Sequence, residues 1–277
     1  MKIGIPKETS SDETRVAVSP ESVKKLVDCG AQITVQAGAG MAASFTDDAF
    51  KEAGANIAKS RSEVFKSDVV LCVRSPAPAD LDNMKKSAVL IGMLNPYSNN
   101  AILDKCCEKS ISAMSMELLP RITRAQAMDV LSSQANLAGY KAVLDACGHF
   151  TRAMPMMMTA AGTIPPAKVF VMGAGVAGLQ AIATARRLGA VVSATDVRPA
   201  AKEQVESLGG RFIAVEDDEF KQAESEGGYA KEMSDEYKKK QSDLVRQTIS
   251  KQDIVITTAL IPGKPAPKLV DTDMVKS

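Results

Sequence analysis

Residues 168–198 read KVFVMGAGVAGLQAIATARRLGAVVSATDVR, and the fold turns on them. An apolar run leads into Gly173-Ala-Gly175-Val-Ala-Gly178, a helix-forming stretch of about a dozen residues follows, and a second apolar run ends on Asp196. Each glycine has its own task when strand, turn and helix come in this order. Gly173 permits the tight turn, Gly175 lets the backbone approach a diphosphate, and Gly178 lets the helix sit close to the strand. The helix opening at Val176 would turn its free amides and the positive end of its dipole toward an anion. Asp196, eighteen residues after Gly178, can accept both hydroxyls of an adenosine ribose and repels a 2′-phosphate. The stretch therefore predicts a dinucleotide-binding βαβ unit that prefers NAD(H), with Val197 among the cofactor contacts and Arg198, which could also accommodate a 2′-phosphate, in a stacking or adenosine-edge role.

Working outward toward the C-terminus, residues 211–215 and 253–258 read as further strands. Ala259 and Leu260 follow the latter, at a strand end where open α/β sheets bind ligands, and either could pack near the nicotinamide ribose or simply within the loop. Between 216 and 241 the chain is rich in Glu, Lys and Gly. It reads as a solvated loop with an exposed helix, or as a flap over the cofactor. Toward the N-terminus, Pro165 and Pro166 interrupt the chain, and residues 126–153 read as one long connector helix with Thr123-x-x-Gln126 as a capping box. Before it, strand-like runs at 2–6, 32–36, 68–73, 88–94 and 111–116 alternate with helical segments. Ser19, Pro20 and Glu21 mark one helix start. The rhythm predicts two Rossmann-like α/β domains with mostly parallel sheets, 1–134 and 135–277, and nucleotide bound in the cleft at the C-terminal ends of the second sheet.

The bulk properties agree with a globular pair. The 277 residues are 45% hydrophobic and 24% charged, and Lys+Arg 34 against Asp+Glu 33 leaves +1. That balance offers no electrostatic attraction to nucleic acid or an acidic membrane surface. No apolar run approaches the ~20 residues of a spanning helix, and the opening MKIGIPKE lacks a secretory signal, so an intracellular product is expected. Five cysteines form no C-x-x-C pair, which argues against a disulfide framework or a metal site.

Most dehydrogenases that oxidise an alcohol or amine need a general base poised near neutrality. The single histidine, His149, lies late in the connector beside Phe150 and reads as a packed or capping residue. The missing base points toward hydride transfer without proton abstraction, such as transfer between two nicotinamide rings. Arg121, Gln126, Asp129 and Ser132 cluster near the domain junction. On a helix running from Thr123, the last three would share one face and could hold the nicotinamide amide and its ribose, although Gln126 and Asp129 also suit a simple helix start.

At these residues the chain resembles a known family. Leu119-Pro-Arg-Ile-Thr-Arg-Ala-Gln-Ala-Met-Asp129, Leu131-Ser-Ser-Gln-Ala-Asn-Leu-Ala-Gly-Tyr140, Met156-Met-Met-Thr-Ala-Ala-Gly-Thr163, Gly228-Tyr-Ala-Lys-Glu-Met233 and Thr257-Thr-Ala-Leu-Ile-Pro-Gly-Lys-Pro-Ala266 look like the NAD(H)-binding component of proton-translocating NAD(P) transhydrogenases. The resemblance implies that Arg121, Gln126 and Asp129 form the family's signature loop at the nicotinamide and carry its catalytic role. It also implies that Gly228, Tyr229 and Met233 belong to a loop closing over nucleotide. The implied reaction passes hydride from NADH to NADP+ held on a partner component, coupled to proton movement by a membrane-spanning one. This chain would sit as a homodimer, peripherally, on the cytoplasmic or matrix side of an inner membrane. In that family the second sheet continues past its fourth strand, so the resemblance implies a Rossmann domain truncated at Ser277. Alanine dehydrogenase is a similar family and the rival reading. Arg15 fits both, but the rival carries a catalytic His where this chain reads Ile91-Gly-Met-Leu94 and a pyruvate-binding Lys within the strand of Leu71-Cys-Val-Arg74. A non-enzymatic NAD-sensing module would share the turn and Asp196 and pass hydride to nothing.

Overall fold

Six parallel strands form the sheet of the first unit, Met1–Val130: β1 (Lys2–Ile5), β2 (Gln32–Gln36), β3 (Asn56–Ala58), β4 (Val69–Arg74), β5 (Val89–Met93) and β6 (Ser112–Ser115). Their order is β3-β2-β1-β4-β5-β6, which reverses direction between β1 and β4. The computed structural model describes residues 1–120, 122–221, 233–260 and 265–277, with backbone alone at Lys221. Helices α1 (Pro20–Asp28), α2 (Asp47–Glu52), α3 (Arg61–Phe65) and α4 (Asn100–Lys109) connect the strands. Ser19 Oγ accepts the Ser22 amide at 3.2 Å, so α1 starts where Ser19, Pro20 and Glu21 mark it. Ile3, Ile5, Ile33 and Val35 fill one core with Val23 and Phe50, and Val70, Leu90 and Leu94 fill another with Ile102 of α4. The five expected strands form to within about a residue or two at each end. The edge strand β3 was not expected. Three residues are too few for a period, and pairing with β2 recruits them.

The connector corrects the single long helix. Thr123–Met128 is a 3-10 turn, Asp129 leaves helical geometry at ψ 87°, and α5 runs Val130–His149. The capping box does not form. Ile122, not Thr123, stands at the N-cap position of the turn, and it makes no side-chain cap bond.

The second unit, Leu131–Ser277, holds β9 (Lys168–Met172), β10 (Val191–Thr195), β11 (Arg211–Phe212) and β12 (Ile254–Thr257), all parallel, in the order β11-β10-β9-β12. Ahead of them β7 (Met157–Thr159) and β8 (Gly162–Ile164) form an antiparallel hairpin. Its residues are exposed on both sides, so no burial period signalled it. Helices α6 (Val176–Arg187), α7 (Ala201–Ser207), α8 (Asp218–Lys221), α9 (Asp235–Ile249) and α10 (Thr272–Lys276) complete the unit. β9 is buried on both faces, as a central parallel strand must be. Val169 and Val171 pack with Ile182 of α6, while Phe170 and Met172 pack with Val245 and Ile249 of α9. Within the expected loop-and-helix region 216–241, the described residues form the short α8 and the start of α9, which extends beyond the region and buries Tyr237, Val245 and Ile249. Among the described residues no helix is long and apolar enough to cross a membrane.

Candidate nucleotide-binding site

The glycine turn follows β9, the strand at which the second sheet's order reverses, where open α/β sheets place their ligands. Gly173 has φ 103°, a conformation that side chains rarely adopt, and its amide donates to Thr195 O at 2.8 Å. A Cβ on Gly178 would lie 1.8 Å from Gly173 O, so only glycine lets α6 start this close to the strand. A Cβ on Gly175 would meet nothing within 4 Å. Gly175 is the N-cap residue of α6 and makes no side-chain cap bond there, so the turn keeps an open approach to the amides at the start of α6. Val176, the first residue of α6, is 42% exposed beside that opening.

Asp196 closes the site from β10. Its Oδ2 accepts the Ala174 amide at 2.7 Å, and its Oδ1 accepts the Arg198 amide and Nε, both at 2.9 Å. Arg198 Nη2 donates to Asp196 Oδ2 at 3.1 Å and to Ala174 O at 3.2 Å. Acid, arginine and glycine turn are thus one hydrogen-bonded group, with Val197 exposed beside it. On the other side Thr258 Oγ1, just past β12, donates to Gly173 O at 3.0 Å. Ala259 follows half-buried and Leu260 is 76% exposed.

Helix α5 packs against α6 within the same unit. A Cβ on Gly139 would sit 2.0 Å from Ala177 O, and Asn136 Nδ2 donates to Gln180 Oε1 at 3.2 Å. Ser132 lies one turn before Asn136 on α5, and His149 is the exposed last residue of that helix.

Gln126 and Asp129 belong to the first unit, where the Asp129 amide donates to Gln126 O at 3.2 Å. Because the chain leaves helical geometry at Asp129, Gln126, Asp129 and Ser132 do not run along one continuous helix face as expected. Arg121, Gly228 and Tyr229 lie outside the described residues, whereas Met233 is described and buried. Arg15 and Arg74 both donate to Glu13, at 2.7 and 2.9 Å, and the Arg15 guanidinium holds the Glu13 carboxyl down to about 2. Among the described residues no group of His, Cys, Asp and Glu is arranged to hold a metal ion.

Three residues that sequence reading passed over stand next to this site: Thr195, Thr258 and Gln241. The spacing of Tyr237, Gln241 and Val245 along one face of α9 is the one local signal that could have drawn attention to Gln241.

Strand, glycine turn, helix, strand and acid, held in this geometry, define the second unit as a Rossmann-type dinucleotide-binding fold. The alanine dehydrogenase/PNT N-terminal domain matches residues 4–138 and the corresponding C-terminal domain residues 142–277. The chain belongs to the alanine dehydrogenase/PNT family, and its similarity to NAD(P) transhydrogenase alpha subunits is far higher than to alanine dehydrogenases. It is 57% identical over 281 residues to an NAD(P) transhydrogenase alpha-subunit chain of Rhodospirillum rubrum, covering 99% of this chain and 73% of that protein. Against alanine dehydrogenase 2 of Staphylococcus aureus it is 30% identical over 280 residues, covering 100% of this chain and 68% of that protein. The solved structure of a transhydrogenase from Sinorhizobium meliloti superposes with a TM-score of 0.89 at 54% identity, over 99% of this chain and 74% of that one.

Proposed function

We propose that this chain is the NAD(H)-binding component of a proton-translocating NAD(P)+ transhydrogenase. The carrying observation is the union of an open glycine turn at the start of α6 with a carboxylate, Asp196, hydrogen-bonded to that turn. The residues fit a dinucleotide. Gly175 leaves room for a diphosphate against the helix amides, and Asp196 with Arg198 offers an acceptor and a cation to the adenosine ribose. Ala259 and Leu260 border the nicotinamide half, and Ser132 contributes from the first turn of α5. When bound, NADH supplies a hydride. The reading assigns to Arg121, Gln126 and Asp129 the positioning of the donor ring, with no proton moved by any of them. Gly228 and Tyr229 are assigned to the nucleotide on the strength of their motif.

The acceptor is NADP+ on a partner component, a membrane-spanning component couples the transfer to proton movement, and this chain acts as a homodimer held peripherally at the inner membrane through that partner. Identity of 57% to a transhydrogenase alpha-subunit chain against 30% to an alanine dehydrogenase favours this reading over the amino-acid dehydrogenase.

Mixing the protein with an NADP(H)-binding transhydrogenase component, and following oxidation of NADH against reduction of an NADP+ analogue, tests it. Transfer between nucleotides without turnover of alanine and NAD+ is the expected result. Turnover of alanine would establish the rival enzyme, and tight NADH binding with no transfer would establish a sensing module.

A further inference from the structure

The ladder between β10 and β11 is short. Its register pairs are Ser193 with Arg211 and Ala194 with Phe212, and the Ile213 amide donates to Ala194 O at 2.8 Å. Thr195, the next residue of β10 and the one before Asp196, has no register partner on that side. A side chain from α9 stands in the next place. Gln241 Nε2 donates to Thr195 Oγ1 at 2.9 Å, while its Oε1 accepts the Val215 amide at 3.0 Å. A carboxamide carries one donor group and one acceptor, as a peptide does, so Gln241 replaces the missing rung between the exits of β10 and β11.

Thr195 is also where the glycine turn is tied to β10. Its carbonyl accepts the Gly173 amide at 2.8 Å, and its side chain is buried at 7% exposure. Thr195, the last residue of β10, is thus held from α9 through its side chain while Asp196, the next residue, reaches the glycine turn. Rotation at the Thr195–Asp196 peptide would carry the carboxylate away from Ala174. The Gly173 bond to the Thr195 carbonyl holds that peptide, the Gln241 bond anchors the Thr195 Cα from which it extends, and a part-buried hydrogen bond is costly to leave unmade.

We propose that Gln241 is a positioning residue for the adenosine-ribose subsite: acting through Thr195, it holds the Asp196 carboxylate in the orientation that selects a ribose with a free 2′-hydroxyl. This rests on the reading of Gly173–Asp196 as a dinucleotide site and extends it to a helix more than forty residues on in sequence.

The test is calorimetric binding of ADP-ribose and of its 2′-phosphorylated analogue to the full chain and its variants. The ratio of the two dissociation constants is insensitive to the fraction of protein folded. The unmutated protein prefers ADP-ribose. Gln241→Leu cuts that preference roughly three- to tenfold, the worth of one or two neutral hydrogen bonds. Thr195→Val removes the same bond from the other partner with little change of shape, and gives the same loss should Gln241→Leu fail to fold. In an Asp196→Asn background, where the selecting charge is gone, adding Gln241→Leu changes the ratio no further. A ratio unchanged in both Gln241→Leu and Thr195→Val, whatever happens to their melting temperatures, overturns the proposal and leaves Gln241 a packing residue. An undiminished effect of Gln241→Leu in the Asp196→Asn background also overturns it, since the action would not run through Asp196. Failure of the unmutated protein to bind ADP-ribose at all removes the dinucleotide reading itself, and the proposal with it.

Discussion

Asp196 Oδ2 accepts the Ala174 amide at 2.7 Å, so the acid at the end of β10 is hydrogen-bonded to the middle of the glycine turn that follows β9. The group proposed to select the ribose is therefore tied directly to the turn proposed to hold the diphosphate. Asp196→Ala should weaken NADH binding by about tenfold or more and narrow the gap between NAD(H) and NADP(H), because it removes both the ribose acceptor and the 2′-phosphate repulsion. Calorimetric affinities for the two cofactors on the unmutated and mutant proteins check this. Equal affinities before mutation would contradict the assignment of Asp196.

The glycines of the turn separate binding from folding. Gly175→Ala places a methyl in open space and should leave stability within about 0.5 kcal/mol, while lowering NADH affinity by about tenfold or more through loss of close backbone approach. Gly178→Ala drives a Cβ to 1.8 Å from a backbone carbonyl, and should cost about 2 kcal/mol or more of stability. Urea melts beside NADH titrations distinguish the two. Similar stability losses for both would contradict the geometry of the turn.

Gln126→Asn tests the positioning role given to the loop before α5. Hydride passage between two rings needs donor and acceptor carbons held within about 3 to 3.5 Å, and a side chain shortened by one methylene disturbs that placement. Single-turnover transfer to the NADP+-bearing partner should slow by about tenfold or more while NADH affinity stays within a few fold. Gln126 is exposed and makes no helix cap, so its melting temperature should hardly change. A lowered melting temperature with an unchanged transfer rate would remove Gln126 from the site.

Glu13 carries a pH dependence in the first unit. Its carboxyl, 3% exposed between Arg15 and Arg74, lies at about 2 when folded against an ordinary 4.5. A depressed acid stabilises the fold above its unfolded value, and that contribution fades as pH falls from about 4.5 toward 2. Arg15 and Arg74 are 38% and 46% exposed, so solvent screening reduces the effect to about 1–2 kcal/mol near neutrality. Glu13→Gln should therefore be less stable than the unmutated protein at pH 7, and the gap between their urea midpoints should shrink by pH 3. A gap independent of pH would show that the loss is one of packing.

Much of this molecule is written locally. The unit β9–α6–β10 and its closing Asp196 follow from the sequence, because a central parallel strand must be apolar on both faces, Gly173 takes a positive φ and Gly178 leaves no room for a Cβ. The start of α1 is equally local, since Ser19 satisfies a donor three residues away. The tertiary structure alone decided what depends on groups distant in the chain. β3 exists through its pairing with β2, and the hairpin of β7 and β8 has no buried face to leave a period in the sequence. The break at Asp129 defeated a helical pattern that ran through it, because spacing records which residues could share a face and not where the backbone turns. Gln241 meets Thr195 across 46 residues, and a side-chain amide in a charged, Lys-rich helix gives no sign of its partner until the sheet brings β10 and β11 beneath it. Steric and capping demands act between neighbours and are legible in order. Hydrogen bonds between distant elements are set by packing, and only the folded chain places their donors and acceptors within reach.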